Sequence, residues 1–252
     1  MLVRTWNLFH GRTVPPSGAL HLEEMVRLST EDEPAVLLLQ EVPPWAFRYL
    51  GGWAGMTVFT EVAARAPLGA RLGRKITEID PVRLRRAASG QGNAILLDPA
   101  LEPFDYHALV LNPLGFRRGQ KLPLRLQLAW AKERRVLQAI RVKLPDGRRM
   151  LIGNLHATGN AALARLELRR AREFFLALAR PGEVEVLGGD FNVRADALGA
   201  FVNDDFSGPG SSVDHVLVRG ASASTPEVWP EDRRRLSGEL LSDHAPLEVR
   251  IS

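Results

Sequence analysis

The stretch Val184-Glu-Val-Leu-Gly-Gly-Asp-Phe-Asn192 constrains this chain more than any other. Val184, Val186 and Leu187 form a short apolar, β-prone run, which suits a buried strand. Side chains alternate faces along extended backbone, so Asp190 and Asn192 are expected to point the same way, at the C-terminal mouth of that strand. Gly188 and Gly189 let the backbone bend and let a ligand approach closely. A carboxylate and a carboxamide at such a mouth suit a site that handles a phosphate and a metal. The stretch alone also fits an Asx-type turn closing a strand, so its meaning depends on the rest of the chain.

Apolar runs of the same kind recur. Leu2–Asn7 reads as a strand, His10–Gly18 as a Gly/Pro loop, and His21–Ser29 as a helix with Leu22, Met25, Val26 and Leu28 on one face. Ala35–Gln40 is a continuous apolar run, hence a buried strand, with Glu41 at its end. A short helix over Trp45–Leu50 and a strand over Met56–Thr60 follow. Residues 61–90 read as a long basic loop and Asn93–Leu97 and Tyr106–Leu111 as strands. A second basic loop holds Arg117, Arg118, Lys121 and Arg125. Arg135–Leu144 and Arg148–Leu155 are strands joined by Pro145-Asp-Gly-Arg, a hairpin signal. Ala161–Ala179 carries the widest helical stripe, Leu163, Leu166, Ala171, Phe174, Phe175 and Leu178. Val213–Val218 and Ala245–Ile251 are the last strands, with a Gly/Ser loop over Ser207–Ser212 before them. No linker or repeat divides the chain, so residues 1–252 are expected to form a single domain.

Polar residues cap these runs: Asn7, Glu41, His156, Asp190 with Asn192, Asp214, and Asp243 with His244. Each has a bland reading on its own, as a cap, a turn or a hydrogen-bonded core histidine. Together they suggest strand ends converging on one cleft. Carboxylates with carboxamides suit Mg²⁺ or Mn²⁺, which take oxygen ligands, and a histidine beside a carboxylate is an acid/base candidate. The combination points to metal-assisted hydrolysis of a phosphate ester.

Thr5-Trp-Asn7, Leu39-Gln-Glu41, Gly92-Asn-Ala-Ile-Leu96, Asn154-Leu-His156, Gly189-Asp-Phe-Asn192, Val213-Asp-His215 and Ser242-Asp-His244, in this order, resemble the motifs of the endonuclease/exonuclease/phosphatase superfamily, the DNase I-like proteins. The resemblance covers nearly the whole chain. It implies an α/β fold, a four-layer α/β/β/α sandwich of two mixed β-sheets flanked by helices, with the site at one end. It further implies that Asn7 and Glu41 hold the metal, with Asp243 on the metal side. Asp190 and Asn192 would position the attacking water and bind the transition state, and His156 would contact the scissile phosphate. His244 would be the catalytic histidine, oriented by Asp214. Whether His244 or Asp190 takes the water's proton stays open. Leu8-Phe9-His10-Gly11 departs from abasic-site endonucleases, so their second acidic metal contact is missing.

The formal net charge is +4 and the excess is largely arginine, clustered in the two basic loops. Arginine presents a planar fork to phosphate, so Arg83, Arg85, Arg86, Arg117 and Arg118, with Asn93, are expected to bind substrate. The favoured reading is a divalent-metal-dependent nuclease. The alternative is a phosphatase or phosphodiesterase of a small-molecule or lipid headgroup phosphate, and a non-catalytic binding module is a distant third. Cysteine is absent, which excludes disulfides and thiolate zinc sites. With no signal-peptide pattern and no apolar run of membrane-spanning length, a cytoplasmic protein without a membrane or an obligate protein partner is expected.

Overall fold

The computed structural model describes residues 1–65, 69, 71, 72, 74, 75, 90–210 and 212–252. Its strands are β1 (Leu2–Asn7), β2 (Thr13–Val14), β3 (Val36–Val42), β4 (Thr57–Ala64), β5 (Gln91–Leu97), β6 (Glu102–Val110), β7 (Val136–Lys143), β8 (Arg149–His156), β9 (Val184–Asp190), β10 (Asp214–Arg219), β11 (Glu227–Val228), β12 (Arg235–Leu236), β13 (Glu239–Leu241) and β14 (Leu247–Arg250). The helices are α1 (Leu22–Leu28), α2 (Phe47–Ala54), α3 (Leu114–Gly119), α4 (Leu124–Ala131), α5 (Ala161–Leu178) and α6 (Gly199–Val202).

Two mixed sheets face each other. One is six-stranded in the order β11-β14-β1-β3-β5-β4, the other five-stranded in the order β10-β9-β8-β7-β6, and a small β12-β13-β2 sheet stands apart. Each large sheet holds one parallel pair, β1 with β3 and β8 with β9, among antiparallel neighbours. Alternation assigns the layers. On β3, Val36 and Leu38 pack between the sheets while Leu37 and Leu39 pack outward with Leu22, Met25 and Val26 of α1. On β8, Met150 and Ile152 face the other sheet while Leu151 and Leu155 meet Leu168 and Phe175 of α5. The result is the expected four-layer α/β sandwich.

Near one end the inter-sheet layer turns polar. Asn154 Nδ2 donates to Leu39 O (3.1 Å) and Ala94 O (2.9 Å) of the opposite sheet, and Gln40 Nε2 donates to Asn154 Oδ1 (2.8 Å). All three groups are buried, so these bonds fasten β8 to β3 and β5 where apolar packing stops.

Most expected elements are present, and two readings are corrected. Arg117, Arg118 and Arg125 lie not in a loop but on the two helices α3 and α4, with Lys121 in the connection between them. Pro113 and Pro123 precede them. Trp130 is buried under Phe116 in an edge-on contact, and Gln127 Nε2 ties the pair by donating to Arg117 O and Gln120 O, both at 2.8 Å. The basic residues masked a short apolar spacing, Leu126 to Trp130, that is helical. Strand β4 runs on to Ala64, four residues into the stretch expected to be loop. Arg83, Arg85 and Arg86 lie outside the described residues.

Candidate active site

Asn7, His156, Asp190 and Asp214 sit at inward-facing positions of β1, β8, β9 and β10. Each continues an every-second-residue row: Val3 on β1, Met150 and Ile152 on β8, Val184 and Val186 on β9, Val216 and Val218 on β10 all pack between the sheets. β1, β8 and β9 end there, and β10, antiparallel to β9, begins there with Asp214 opposite Asp190. Gly189 makes room for this close packing: its φ is +134°, and a Cβ would strike Leu155 O.

Glu41 reaches the same end by another route. The β3–β5 register slips between Leu39 and Val42, and Glu41 has φ +52°. Bulges with left-handed residues are costly and re-aim side chains. Left-handed backbone also marks His10 (φ +58°), Asn192 (φ +52°) and Ser242 (φ +61°), all at this end of the sandwich. The expected alternation therefore stops at Asp190. Asn192 is turned so that its N–H donates to Asp190 Oδ1 (3.0 Å) and its Nδ2 to Ala157 O (2.9 Å).

Asp190 is the hub. Asn7 Nδ2 donates to its Oδ2 at 3.0 Å, and His156 Nε2 and His244 Nε2 lie 3.4 and 3.8 Å from the same oxygen. His244 Nδ1 meets Asp214 Oδ2 at 2.8 Å. Burial, and then the Asp214 charge, raise the Asp190 carboxyl to about 7. Burial opposes protonation of His244, but the hydrogen bond and charge of Asp214, followed by Asp190 and Asp243, outweigh it and raise His244 to about 10. Burial and the Arg135 charge push His156 well below the usual imidazole range, so it is neutral.

The supporting contacts are mostly non-local. Ser242 Oγ donates to Asn7 O (2.7 Å) and accepts from His244 N–H (3.0 Å), and Trp6 Nε1 donates to His244 O (3.0 Å). The buried Arg234 donates to Leu241 O, Ser242 O and His244 O, clamping the loop that presents His244. On the other side, the buried Glu167 of α5 accepts from Thr158 N–H, Thr158 Oγ1 and Trp130 Nε1, fixing the turn after His156. His215 is structural: it accepts Gly210 N–H at Nδ1, so its Nε2 carries the proton and donates to Val193 O (2.8 Å). Sequence reasoning missed Arg234, Glu167 and His10, whose Nε2 lies 3.2 Å from Glu41 Oε2.

The other expected residues are placed differently. Asp243 is exposed beside His244. Asn93 is buried and donates to Val136 O (3.2 Å). Arg117 is half-buried and donates to Asn112 O, whereas Arg118 is exposed.

The donor set suits an oxygen-seeking divalent cation. Glu41, Asp190 and Asp214 bring carboxylates into one buried end, and Asp214 Oδ1 is buried with no hydrogen-bond partner among the described residues. Ligating atoms of Asp190, Asp214 and His244 lie within 4.8 Å of one another. The Asp214–His244 contact is already a hydrogen bond, however, and an ion between them would have to break it.

Among the described residues, no helix is long and apolar enough to cross a membrane. Comparison with solved structures gives full-length matches of low identity. An endonuclease/exonuclease/phosphatase from Beutenbergia cavernae is 15% identical, with 100% of this chain and 72% of that one covered and a TM-score of 0.71. The mannosyl-6-phosphatase of Bacteroides thetaiotaomicron is 15% identical, covering 100% and 99%, with a TM-score of 0.68. Truncated TDP2 of Caenorhabditis elegans is 15% identical, covering 99% and 96%, with a TM-score of 0.61. Comparison with curated proteins found no match. The model of the Endonuclease/Exonuclease/phosphatase family matches residues 5–244, from Thr5 beside the first site residue to His244 itself. The chain belongs to that family of phosphoesterases.

Proposed function

We propose that the protein is a divalent-metal-dependent phosphodiesterase acting on nucleic acid. One observation carries the chemistry: a single buried oxygen, Asp190 Oδ2, is approached by Asn7, His156 and His244, and His244 is backed by Asp214. Asn7 and Glu41 would hold Mg²⁺ or Mn²⁺, with Asp243 on the same side. When bound, the ion supplies charge neutralisation at the phosphoryl oxygens. Asp190, with a carboxyl raised to about 7, orients the attacking water and accepts its proton. His244 is held protonated by Asp214 and so faces the phosphate as a cation and proton donor, not as the base. Neutral His156 and the Asn192 carboxamide contact the phosphoryl oxygens.

Support for nucleic acid comes from the net charge of +4 and its clustering as arginine. The test is a panel of single- and double-stranded DNA, RNA, a phosphomonoester and a lipid phosphodiester, each with Mg²⁺, Mn²⁺ or chelator. Metal-dependent turnover of DNA or RNA is expected. Nucleic-acid affinity should also fall with salt, and replacing Arg83, Arg85 and Arg86 with alanine should flatten that dependence. Turnover of the monoester or the lipid alone would refute the nucleic-acid assignment.

A further inference from the structure

Helices α3 and α4 form a hairpin whose two faces differ in chemistry. The packed face is closed. Phe116 and Trp130 meet edge-on with centroids 5.8 Å apart, and Trp130 Nε1 donates to Glu167 Oε1 of α5 (2.6 Å). Asn112 fastens both ends: its Nδ2 donates to Trp130 O (3.1 Å) and Glu133 O (2.7 Å), and its Oδ1 accepts Arg135 N–H (2.8 Å). The outer face is apolar. Leu124 and Leu128 are 73% and 58% exposed, the two most exposed large apolar side chains among the described residues, and Leu114 of α3 is 52% exposed. Leu124 and Leu128 stand one turn apart and share a face of α4. Arg125 adjoins Leu124, and Lys132 follows Leu128 by four residues, as Arg118 follows Leu114, so cations border the leucines. Single exposed leucines are ordinary, but a cluster rimmed by polar residues marks a contact surface.

The charge of this hairpin is of one sign. From Asn112 to Lys132 the chain has five basic residues, Arg117, Arg118, Lys121, Arg125 and Lys132, and no acidic one. Four of the five are exposed, and none of them forms an ion pair among the described residues. The nearest acids along the chain are already engaged, Asp105 by Arg141 and Glu133 by Arg135. The occupant of this face must therefore bring its own negative charge together with an apolar layer. Nucleic acid brings only the first. The hairpin offers no free ring for base stacking, since Trp130 is buried and Phe116 is half-buried against Trp130 and the Arg170 guanidinium (5.1 Å). A second copy of the chain would set this basic face against itself across a two-fold axis.

We propose that the α3–α4 hairpin docks the protein on the surface of an anionic lipid bilayer. Its leucines enter the boundary between headgroups and acyl chains, and its cations meet the anionic headgroups. The expectation of no membrane partner came from the lack of a spanning run, and a surface contact needs none. The packed face holds the leucines in place before the bilayer is met, so docking orders no new segment. The hairpin also shares a support with the candidate site: Glu167, which holds Trp130, accepts from Thr158 in the turn after His156.

The test is sedimentation of the full chain with vesicles of phosphatidylcholine alone or of phosphatidylcholine and phosphatidylglycerol in equal parts. The chain should sediment with the mixed vesicles, less so at high salt, and not with phosphatidylcholine alone. The double change Leu124→Ser with Leu128→Ser should weaken binding to mixed vesicles about tenfold or more. Lys121→Gln and Arg125→Gln should each weaken it about fivefold. Leu128→Trp should bind at least as tightly as the wild type, which separates a lost contact from a misfolded chain. The docking surface is refuted if the chain ignores the mixed vesicles, if the double serine variant binds them as tightly as the wild type, or if Leu128→Trp weakens binding. A double serine variant that keeps its vesicle binding but loses affinity for a single-stranded oligonucleotide would give the face to nucleic acid instead. None of these measurements involves turnover, so failure of the nuclease reading would leave the docking surface standing.

Discussion

Asp214 Oδ2 and His244 Nδ1 stand 2.8 Å apart, one at the start of β10 and the other on the loop leading into β14 of the opposite sheet. The carboxylate acts on the imidazole by hydrogen bond and by charge. Removing that charge should let the His244 pKa fall toward its ordinary 6.5. In profiles of kcat/KM against pH, Asp214→Asn should shift the alkaline limb to lower pH while retaining part of the rate. His244→Ala should cost about 10²–10⁴-fold. An alkaline limb that stays in place in Asp214→Asn would mean that Asp214 does not hold the His244 proton.

The same pair makes stability depend on pH in the metal-free protein. His244 has a folded pKa of about 10 against an ordinary 6.5. Its protonation therefore stabilises the fold in full below pH 6.5, and that contribution disappears as pH rises toward 10. Asp190 moves stability in the same direction in a lower window: its folded value near 7 exceeds 3.8, so its buried charge becomes a cost as pH rises from 3.8 through about 7. Thermal melts in chelator should show His244→Ala losing most stability at or below pH 6.5 and least near pH 10. A loss independent of pH would contradict the assignment.

If Glu41 holds the metal as proposed, affinity should depend on the residue beside it. His10 Nε2 lies 3.2 Å from Glu41 Oε2, and partners that orient a metal-ligating carboxylate are typically worth about 10–100-fold in affinity. Titration with Mn²⁺, followed by calorimetry or electron paramagnetic resonance, should show weaker binding in both Glu41→Gln and His10→Ala, with circular dichroism unchanged. Full activity in excess chelator would remove the metal from the reaction.

Asn154 should matter for stability more than its position within a strand suggests. Asn154→Leu would remove the side-chain donor to Leu39 O and Ala94 O, while Gln40 Nε2 would keep Thr5 Oγ1 and Leu38 O. A buried polar group left unpaired costs about 1–3 kcal/mol. Urea unfolding should register a loss of at least that size, and a loss below ~0.5 kcal/mol, the scale of an ordinary surface substitution, would show that water replaces the side chain.

The placement of much of the candidate site was legible because β-strands keep a strict two-residue period. Asn7, His156, Asp190 and Asp214 each end or begin an apolar run, and the period alone puts them on inner faces. Glu41 obeys no such rule, since a register slip and a left-handed backbone set its direction. Asn192 escaped the rule for the same reason. Arg234 could not be found from sequence, since its three acceptors are the carbonyls of a loop whose course is fixed by tertiary packing. Charge misled at α3 and α4, where arginines concealed a helical pair anchored by the buried Trp130.

The polar layer around Asn154 separates two half-sites. Asn7 and Glu41 belong to the six-stranded sheet, while His156, Asp190 and Asp214 belong to the five-stranded one. Under the proposed roles, neither sheet alone brings a metal-holding residue to a water-activating one. How these residues meet is therefore set by the seating of one sheet on the other, and Asn154, remote from them in role, makes bonds that hold that seating.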